Sequence, residues 1–159
     1  MDRLTTLAAA VLALPEAPER VLEIGCGEGD ATLFLAREFP AARVRGFDSS
    51  EEAVRAAVAR VGLDPEGRVA FKRGDHRALP YPEDQFDLVV SDESALRAGE
   101  AARVLRPGGH MIYIEPPRRG RWRLVVPWTQ WRLAMRGFET ALHEELAGRV
   151  VWIGRFAPP

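Results

Sequence analysis

The 159-residue chain is 47% hydrophobic and 28% charged, the balance of a globular domain and not of a disordered or fibrous chain. Its 22 Lys+Arg against 23 Asp+Glu leave a formal charge of -1, so no overall positive field draws it to nucleic acid or anionic lipid. The single cysteine, Cys26, excludes an internal disulfide and a thiolate metal site, and it points to a reducing, cytoplasmic setting.

Leu4, Leu7, Val11 and Leu14 recur at helical spacing, so residues 2–14 read as an amphipathic helix stopped by Pro15 and Pro18. The apolar run 7–14 is far shorter than the roughly 18 to 20 residues a membrane span needs. Met1-Asp2-Arg3 is also a poor basic start for a secretion signal, so neither a membrane partner nor a leader is expected. Residues 21–24 predict a first strand that runs into glycines, followed by a helix carrying Thr32, Leu33, Leu35, Ala36 and Phe39. Residues 44–47 predict a second strand. Ser49-Ser50-Glu51-Glu52 then opens a helix to about Gly62, as an N-cap with acids in the first turn.

Short strands follow at 69–71 and 86–90. A helix over 95–105, a turn at Arg106-Pro107-Gly108-Gly109 and a fifth strand at 111–114 come next. In the tail, 128–136 reads as one helix, and 138–146 and 150–156 as two strands of a hairpin. Strands alternating with helices imply right-handed crossovers and a sheet covered on both faces. The expected fold is α/β: a Rossmann-like, doubly wound, mostly parallel seven-stranded sheet with an antiparallel C-terminal strand. One domain is expected, with an N-terminal helix in 1–18, a cofactor-binding core over 20–115 and a helix plus hairpin over 116–159.

Gly25, Gly27 and Gly29 stand where the first strand turns into the first core helix. Glycine there lets the backbone take positive φ and approach a ligand, and the helix N-terminus beyond offers unpaired N–H groups. Asp48 follows Gly29 by 19 residues, the spacing at which a carboxylate grips ribose hydroxyls in nucleotide-binding sheets. Two details oppose a dinucleotide. The fingerprint's third glycine is replaced by Asp30, whose charge would repel a pyrophosphate, and Glu23 lies inside an apolar strand. A cationic ligand group would relieve both; for Glu23 the alternative is an ion pair with an arginine.

Val21-Leu22-Glu23-Ile24-Gly25-Cys26-Gly27-Glu28-Gly29 resembles the first motif of the class I S-adenosylmethionine-dependent methyltransferases, of the small type-11 kind. Phe47-Asp48-Ser49-Ser50 is similar to that family's second-strand motif, and the segment from Arg73-Gly74-Asp75-His76 to Leu79-Pro80-Tyr81-Pro82 to its third-strand loop. Phe86-Asp87-Leu88-Val89-Val90-Ser91 and Val104-Leu105-Arg106-Pro107-Gly108-Gly109 complete five motifs in order. The resemblance implies that Gly25, Cys26, Gly27 and Gly29 wrap the methionine part of S-adenosylmethionine and that Asp48 binds both ribose hydroxyls. It further implies Ser49 beside the adenine, Asp75 on the adenine amino group, His76 flanking the ring and Ser91 at the mouth near the methyl. Glu23, Asp48 and Asp75 would together form an acidic rim suited to ammonium and sulfonium charges.

Methyl transfer from a sulfonium is an in-line displacement at an activated carbon, so alignment of the acceptor supplies much of the rate, about 7 to 11 kcal/mol. No triad is required, and a base only for a protonated acceptor. His76, Asp92, Glu93 and Glu115 fall near the carboxyl ends of strands and are candidates for that proton; wall or capping roles weigh more heavily for each. His110 and His143 read as surface or packing residues. Between positions 116 and 136, six arginines interleave with Trp122, Trp128 and Trp131, which suits phosphate contact and base stacking. Tryptophans packed on the sheet beneath solvated arginines weigh more, given the absent net positive charge.

The connection after Ser91 is compressed to Asp92-Glu93-Ser94-Ala95-Leu96, which leaves the acceptor open. The favoured function is methyl transfer to a small molecule, with a nucleic-acid or protein acceptor and closure by a homo-oligomer partner left open. The alternatives are a non-catalytic cofactor-sensing or partner-binding domain and an NAD-dependent oxidoreductase.

Overall fold

The computed structural model describes residues 3–92, 97–115, 128–146 and 149–158. In chain order the elements are α1 (Arg3–Leu12), β1 (Arg20–Ile24), α2 (Asp30–Glu38), β2 (Arg43–Asp48), α3 (Glu51–Arg60) and β3 (Val69–Arg73). β4 (Phe86–Asp92), α4 (Ala98–Val104), β5 (Leu105–Ile114), α5 (Trp128–Ala134), β6 (Phe138–Leu146) and β7 (Arg149–Phe156) follow. Each expected element is present, most within a few residues of the predicted bounds; the central strands β1 and β4 are buried along most of their length, the pattern of a parallel sheet, whereas β3 at its edge is largely open.

The seven strands lie in the order β3-β2-β1-β4-β5-β7-β6. β1 pairs with β2 on one side and β4 on the other, all parallel, so the chain winds outward from β1 in two directions. The crevice at β1 and β4 is the place where open α/β sheets bind ligands. The tail forms the expected hairpin. Its C-terminal strand β7 is the antiparallel one, as expected, and sits between β5 and β6, antiparallel to both.

The turn expected at 106–109 does not precede the fifth strand but lies within it. β5 begins at Leu105, and its register with β4 jumps from Phe86↔Leu105 to Leu88↔His110. Gly108, at φ 81, takes the left-handed conformation that this bulge requires.

Each face of the sheet carries its own core. Leu7 and Ala10 of α1 and Leu35 of α2 cover Val21, Val44, Leu88 and Ile112 on one face, all 0–1% exposed. Ala101 of α4 and Leu133 of α5 join Leu22, Phe47, Phe86, Val89 and Trp152 on the other. Each large apolar side chain so buried contributes about 1.5–3 kcal/mol.

No helix separates β3 from β4. The linking loop is held by Glu100 of α4, whose Oε2 accepts from Leu79 N at 2.7 Å. Arg103 grips Glu100 through Nε and Nη2, at 2.8 and 2.7 Å, and donates to the carbonyls of Tyr81 and Leu79 at 2.8 and 3.0 Å. Leu79 is thereby pinned into the core at 5% exposure.

Candidate functional site

The site lies where β1, β2, β3 and β4 end side by side. After Ile24 the chain must leave the sheet at once, and Gly25, Gly27 and Gly29 do so with φ of 82, 51 and 86. Phe47 O, at the end of β2, accepts from Gly25 N at 2.8 Å and from Cys26 N at 3.1 Å, tying the turn to the neighbouring strand. Gly29 N donates back to Cys26 O at 2.9 Å and leads into α2. The three glycines differ in surroundings. A Cβ on Gly29 would fall 2.7 Å from Phe71 Cζ, whereas one on Gly27 would meet nothing within 4 Å. Gly29 is therefore glycine for packing, and Gly27 faces open space that a ligand can enter.

Asp48 organises this end of the sheet. Its Oδ2 accepts from Gly27 N at 2.8 Å and its Oδ1 from Ser50 N at 2.9 Å. Ser50 in turn caps α3, its Oγ accepting from Ala53 N at 3.2 Å, as the Ser-Ser-Glu-Glu pattern predicts. Asp48 O accepts from Gly74 N at 3.0 Å, so the loop after β3 is anchored on the same residue. From that loop His76 packs against Phe47, edge to face at 5.5 Å.

A cleft of about 570 Å³ opens here, lined by Ser49, Arg73, Gly74, Asp75, His76, Arg77 and Arg97. Ser49 and Asp75 are exposed on its wall. Asp75 Oδ1 accepts from Arg77 N at 2.8 Å, the turn-capping use that Asp commonly has. His76 brings a buried Nε2 with no hydrogen-bond partner among the described residues. Behind it, Tyr81 packs edge-on against Phe47 and Phe86, at 6.3 and 5.1 Å. Burial pushes the Tyr81 phenol up to about 12, so it stays a neutral hydroxyl at physiological pH.

Three expectations need correction. Glu23 is not part of an exposed rim: it is 0% exposed and accepts a hydrogen bond from Thr32 Oγ1 of α2, which packs directly over β1. Ser91 does not line the mouth. It is 0% exposed and donates to Ile24 O at 3.3 Å, because the β1–β4 register sets Ser91 beside Ile24. The cleft is also not uniformly acidic, since Arg73, Arg77 and Arg97 share its wall with Asp75. Arg73 is drawn toward α3, at 3.3 Å from Glu51 Oε2, and Asp30 at the start of α2 pairs with Arg60 at 2.6 Å.

Among the described proton-transfer candidates, His76 lines the cleft; Glu115 is 2% exposed beyond the end of β5. Glu93 falls outside the described residues, as do the side chains of Asp92 and His143. So do residues 116–127 and the Trp128 side chain, which take most of the arginine and tryptophan segment with them. Trp131 is 59% exposed, where burial against the sheet was expected. Cys26 is 2% exposed and fills space in the turn. Sequence reasoning missed Thr32 as the partner of Glu23, although its position at the start of α2 marked it. Arg97 as a cleft residue carried no local signal.

The methyltransferase domain family matches residues 21–109. The chain is 38% identical over 129 residues to a demethylmenaquinone methyltransferase of Thermus thermophilus, covering 74% of this chain and 57% of that protein. It is 34% identical over 124 residues to a fatty-acid O-methyltransferase of Mycolicibacterium smegmatis, covering 74% and 42%. It spans about half the length of such relatives. In fold it is similar to an S-adenosylmethionine-dependent methyltransferase of Mesorhizobium loti, with a TM-score of 0.76, 21% identity and coverage of 95% and 97%. With the glycine turn, Asp48 and the loop after β3 assembled at one end of the sheet and these likenesses across both core and fold, the chain belongs to the methyltransferase domain family, within the class I S-adenosylmethionine-dependent group.

Proposed function

We propose that the chain binds S-adenosylmethionine at the cleft edge of its sheet and transfers the methyl to a small-molecule acceptor. One observation carries the reading: the Asp48 carboxylate holds the glycine turn and the α3 cap together while Gly27 faces open space. The donor set suits the cofactor. Asp48 keeps lone pairs for ribose hydroxyls beyond those its two backbone donors use, and Ser49, Asp75 and the His76 Nε2 stand where an adenine would be read. Bound there, the cofactor would supply a methyl carbon already activated by its sulfonium.

The chain's own work is binding and alignment. The glycine turn admits the amino-acid portion close to the backbone, and Asp48 fixes the sugar. His76, backed by the buried Phe47, would flank the ring. Glu23 acts from behind, through Thr32, by holding α2 against β1. No side chain is assigned as a base, in keeping with an acceptor that arrives as a nucleophile.

The relatives named above, a demethylmenaquinone and a fatty-acid O-methyltransferase, support a small-molecule acceptor here as well. A single buried Cys26 fits a cytoplasmic setting, and no helix among the described residues is long and apolar enough to cross a membrane. Thermal shift with S-adenosylmethionine, its demethylated product and NAD tests the cofactor. Ligand at about 100 times its dissociation constant stabilises by about 2.7 kcal/mol, and a response to NAD in place of the adenosyl ligands would overturn the reading. The short connection after Ser91 supports a binding domain without turnover as the second reading. Labelled-methyl transfer to a panel of quinols, carboxylic acids and phenols separates the two.

A further inference from the structure

We propose a second site, for the phosphate group of a small phosphorylated molecule, at the amino-terminal edge of the sheet. Arg20 opens β1 and Arg43 opens β2, and the parallel register sets them side by side. They therefore share one face of the sheet at a strand spacing of about 4.8 Å. Arg45, two residues along β2, points to the same face. Together with Pro82, Gln85 and Phe86, the three arginines bound a cleft of about 600 Å³. It lies across the length of β1 from the glycine turn, about 13 Å at about 3.3 Å per residue, and is separate from the site described above.

The charge in this cleft is unmatched. No acid lines it. The side chains of Arg20 and Arg43 have no hydrogen-bond or ion-pair partner among the described residues; their backbone N–H groups donate to Asp87 Oδ2 and Glu19 O. Elsewhere exposed arginines find carboxylates: Arg55 and Arg73 on Glu51, Arg60 on Asp30, Arg106 on Asp87. Asp87, which starts β4 beside Phe86, turns to Arg106 and to the N–H groups of Glu19 and Arg20. Asp64 interacts electrostatically with Arg45 but uses its carboxylate on Val69 N at 2.8 Å, outside the cleft.

Arg45 is already oriented. Its Nη1 donates to Val44 O at 3.1 Å and to Arg68 O at 2.8 Å, holding the guanidinium plane while its remaining N–H groups are left for a ligand. Three guanidinium groups in a concave site suit the several oxygens of a phosphate monoester. Gln85 adds an acceptor. Its Oε1 is buried on the cleft wall without a partner among the described residues, and a ligand hydroxyl would satisfy it. Phosphate beside hydroxyl is the chemistry of a sugar phosphate. A long polyanion is disfavoured because Glu19, Glu83 and Asp84 adjoin the cleft residues in sequence and the chain carries a net charge of -1.

Isothermal titration of the full chain with glucose 6-phosphate, inorganic phosphate and a short RNA, at ionic strength held constant with sodium chloride, tests the proposal. Saturable binding of the sugar phosphate is expected, tighter than that of inorganic phosphate. In R20Q/R43Q it should weaken at least about tenfold, since each lost charge-assisted hydrogen bond is worth about that much. Both replaced side chains are exposed, so the variant should keep its melting temperature and its affinity for S-adenosylmethionine. Gln85→Leu should weaken the sugar phosphate and leave inorganic phosphate unchanged. Equal affinity in wild type and R20Q/R43Q, heats that follow ionic strength alone, or RNA bound in place of the small phosphates would each overturn it.

Discussion

Asp48 Oδ2 accepts the Gly27 N–H at 2.8 Å, joining the end of β2 to the turn that leaves β1 across 21 residues of chain. With Oδ1 on Ser50 N, one carboxylate sets the shape of both the glycine turn and the α3 cap. The residue proposed to bind ribose is thus also the residue that builds the place where ribose would lie.

Asp48→Asn is therefore the informative substitution. The amide must present an NH2 to one of the two backbone donors and leave it unsatisfied, which costs about 1–3 kcal/mol. Affinity for S-adenosylmethionine should fall at least tenfold by isothermal titration, with a melting temperature lower by a few degrees. Unchanged affinity would remove Asp48 from the proposed binding role.

Two glycines should respond in opposite ways. Gly27→Ala meets no atom but must hold a left-handed φ of 51, at about 1–2 kcal/mol, and its methyl projects into the space proposed for the ligand. It should bind cofactor poorly while melting only slightly lower. Gly46→Ala drives a methyl into the Phe71 ring and to 2.8 Å from Thr32 Oγ1, disturbing the Glu23 contact. Urea unfolding should show the larger loss there, about 1–3 kcal/mol or more from overpacking.

The Glu100–Arg103 pair should give the fold an acid limb. The hydrogen bond from Arg103 holds the Glu100 carboxyl below its ordinary value, helped by Leu79 N and opposed by burial. A carboxyl with a depressed folded value contributes stability above its unfolded value of about 4.5, and that contribution disappears as pH falls through the folded one. Glu100→Gln should cost about 1–2 kcal/mol at neutral pH and flatten the loss below pH 4.5. Urea midpoints measured from neutral to acid pH report both effects.

His110 works with the same sign from the other charge type. Burial pushes its imidazole below 6.5; Glu16 acts against this, and Arg155 and Arg106 add to it. The neutral ring is the form the fold prefers, so stability is full above 6.5 and declines as pH falls through the depressed value. An NMR titration of the ring protons should place His110 below an unstructured histidine. His110→Gln should remove that part of the pH dependence.

The chain's own order of residues was enough for the strands, the helices and their alternation. Residues 21–24, 44–47 and 86–90 are short, mostly apolar stretches that a sheet covered by helices can bury, and Ser50 with Glu51 and Glu52 marks the start of α3 wherever the rest of the chain lies. These are local signals, set by backbone conformation and by hydrophobicity a few residues apart. The glycine turn and Asp48 were legible for the same reason, since their spacing follows from one βαβ unit.

Contacts between distant segments were not legible in this way. That Glu23 faces Thr32, that Ser91 donates to Ile24, and that the turn at Gly108 lies inside β5 depend on register and on which helix covers which strand. The meeting of Arg20, Arg43 and Arg45 with Gln85 is of the same kind, because residues scattered over 65 positions share a surface only once the sheet is laid down. Sequence determines which segments must be buried and which can turn; tertiary packing alone decides which buried polar groups become partners, since a hydrogen bond depends on distances that chain order does not set.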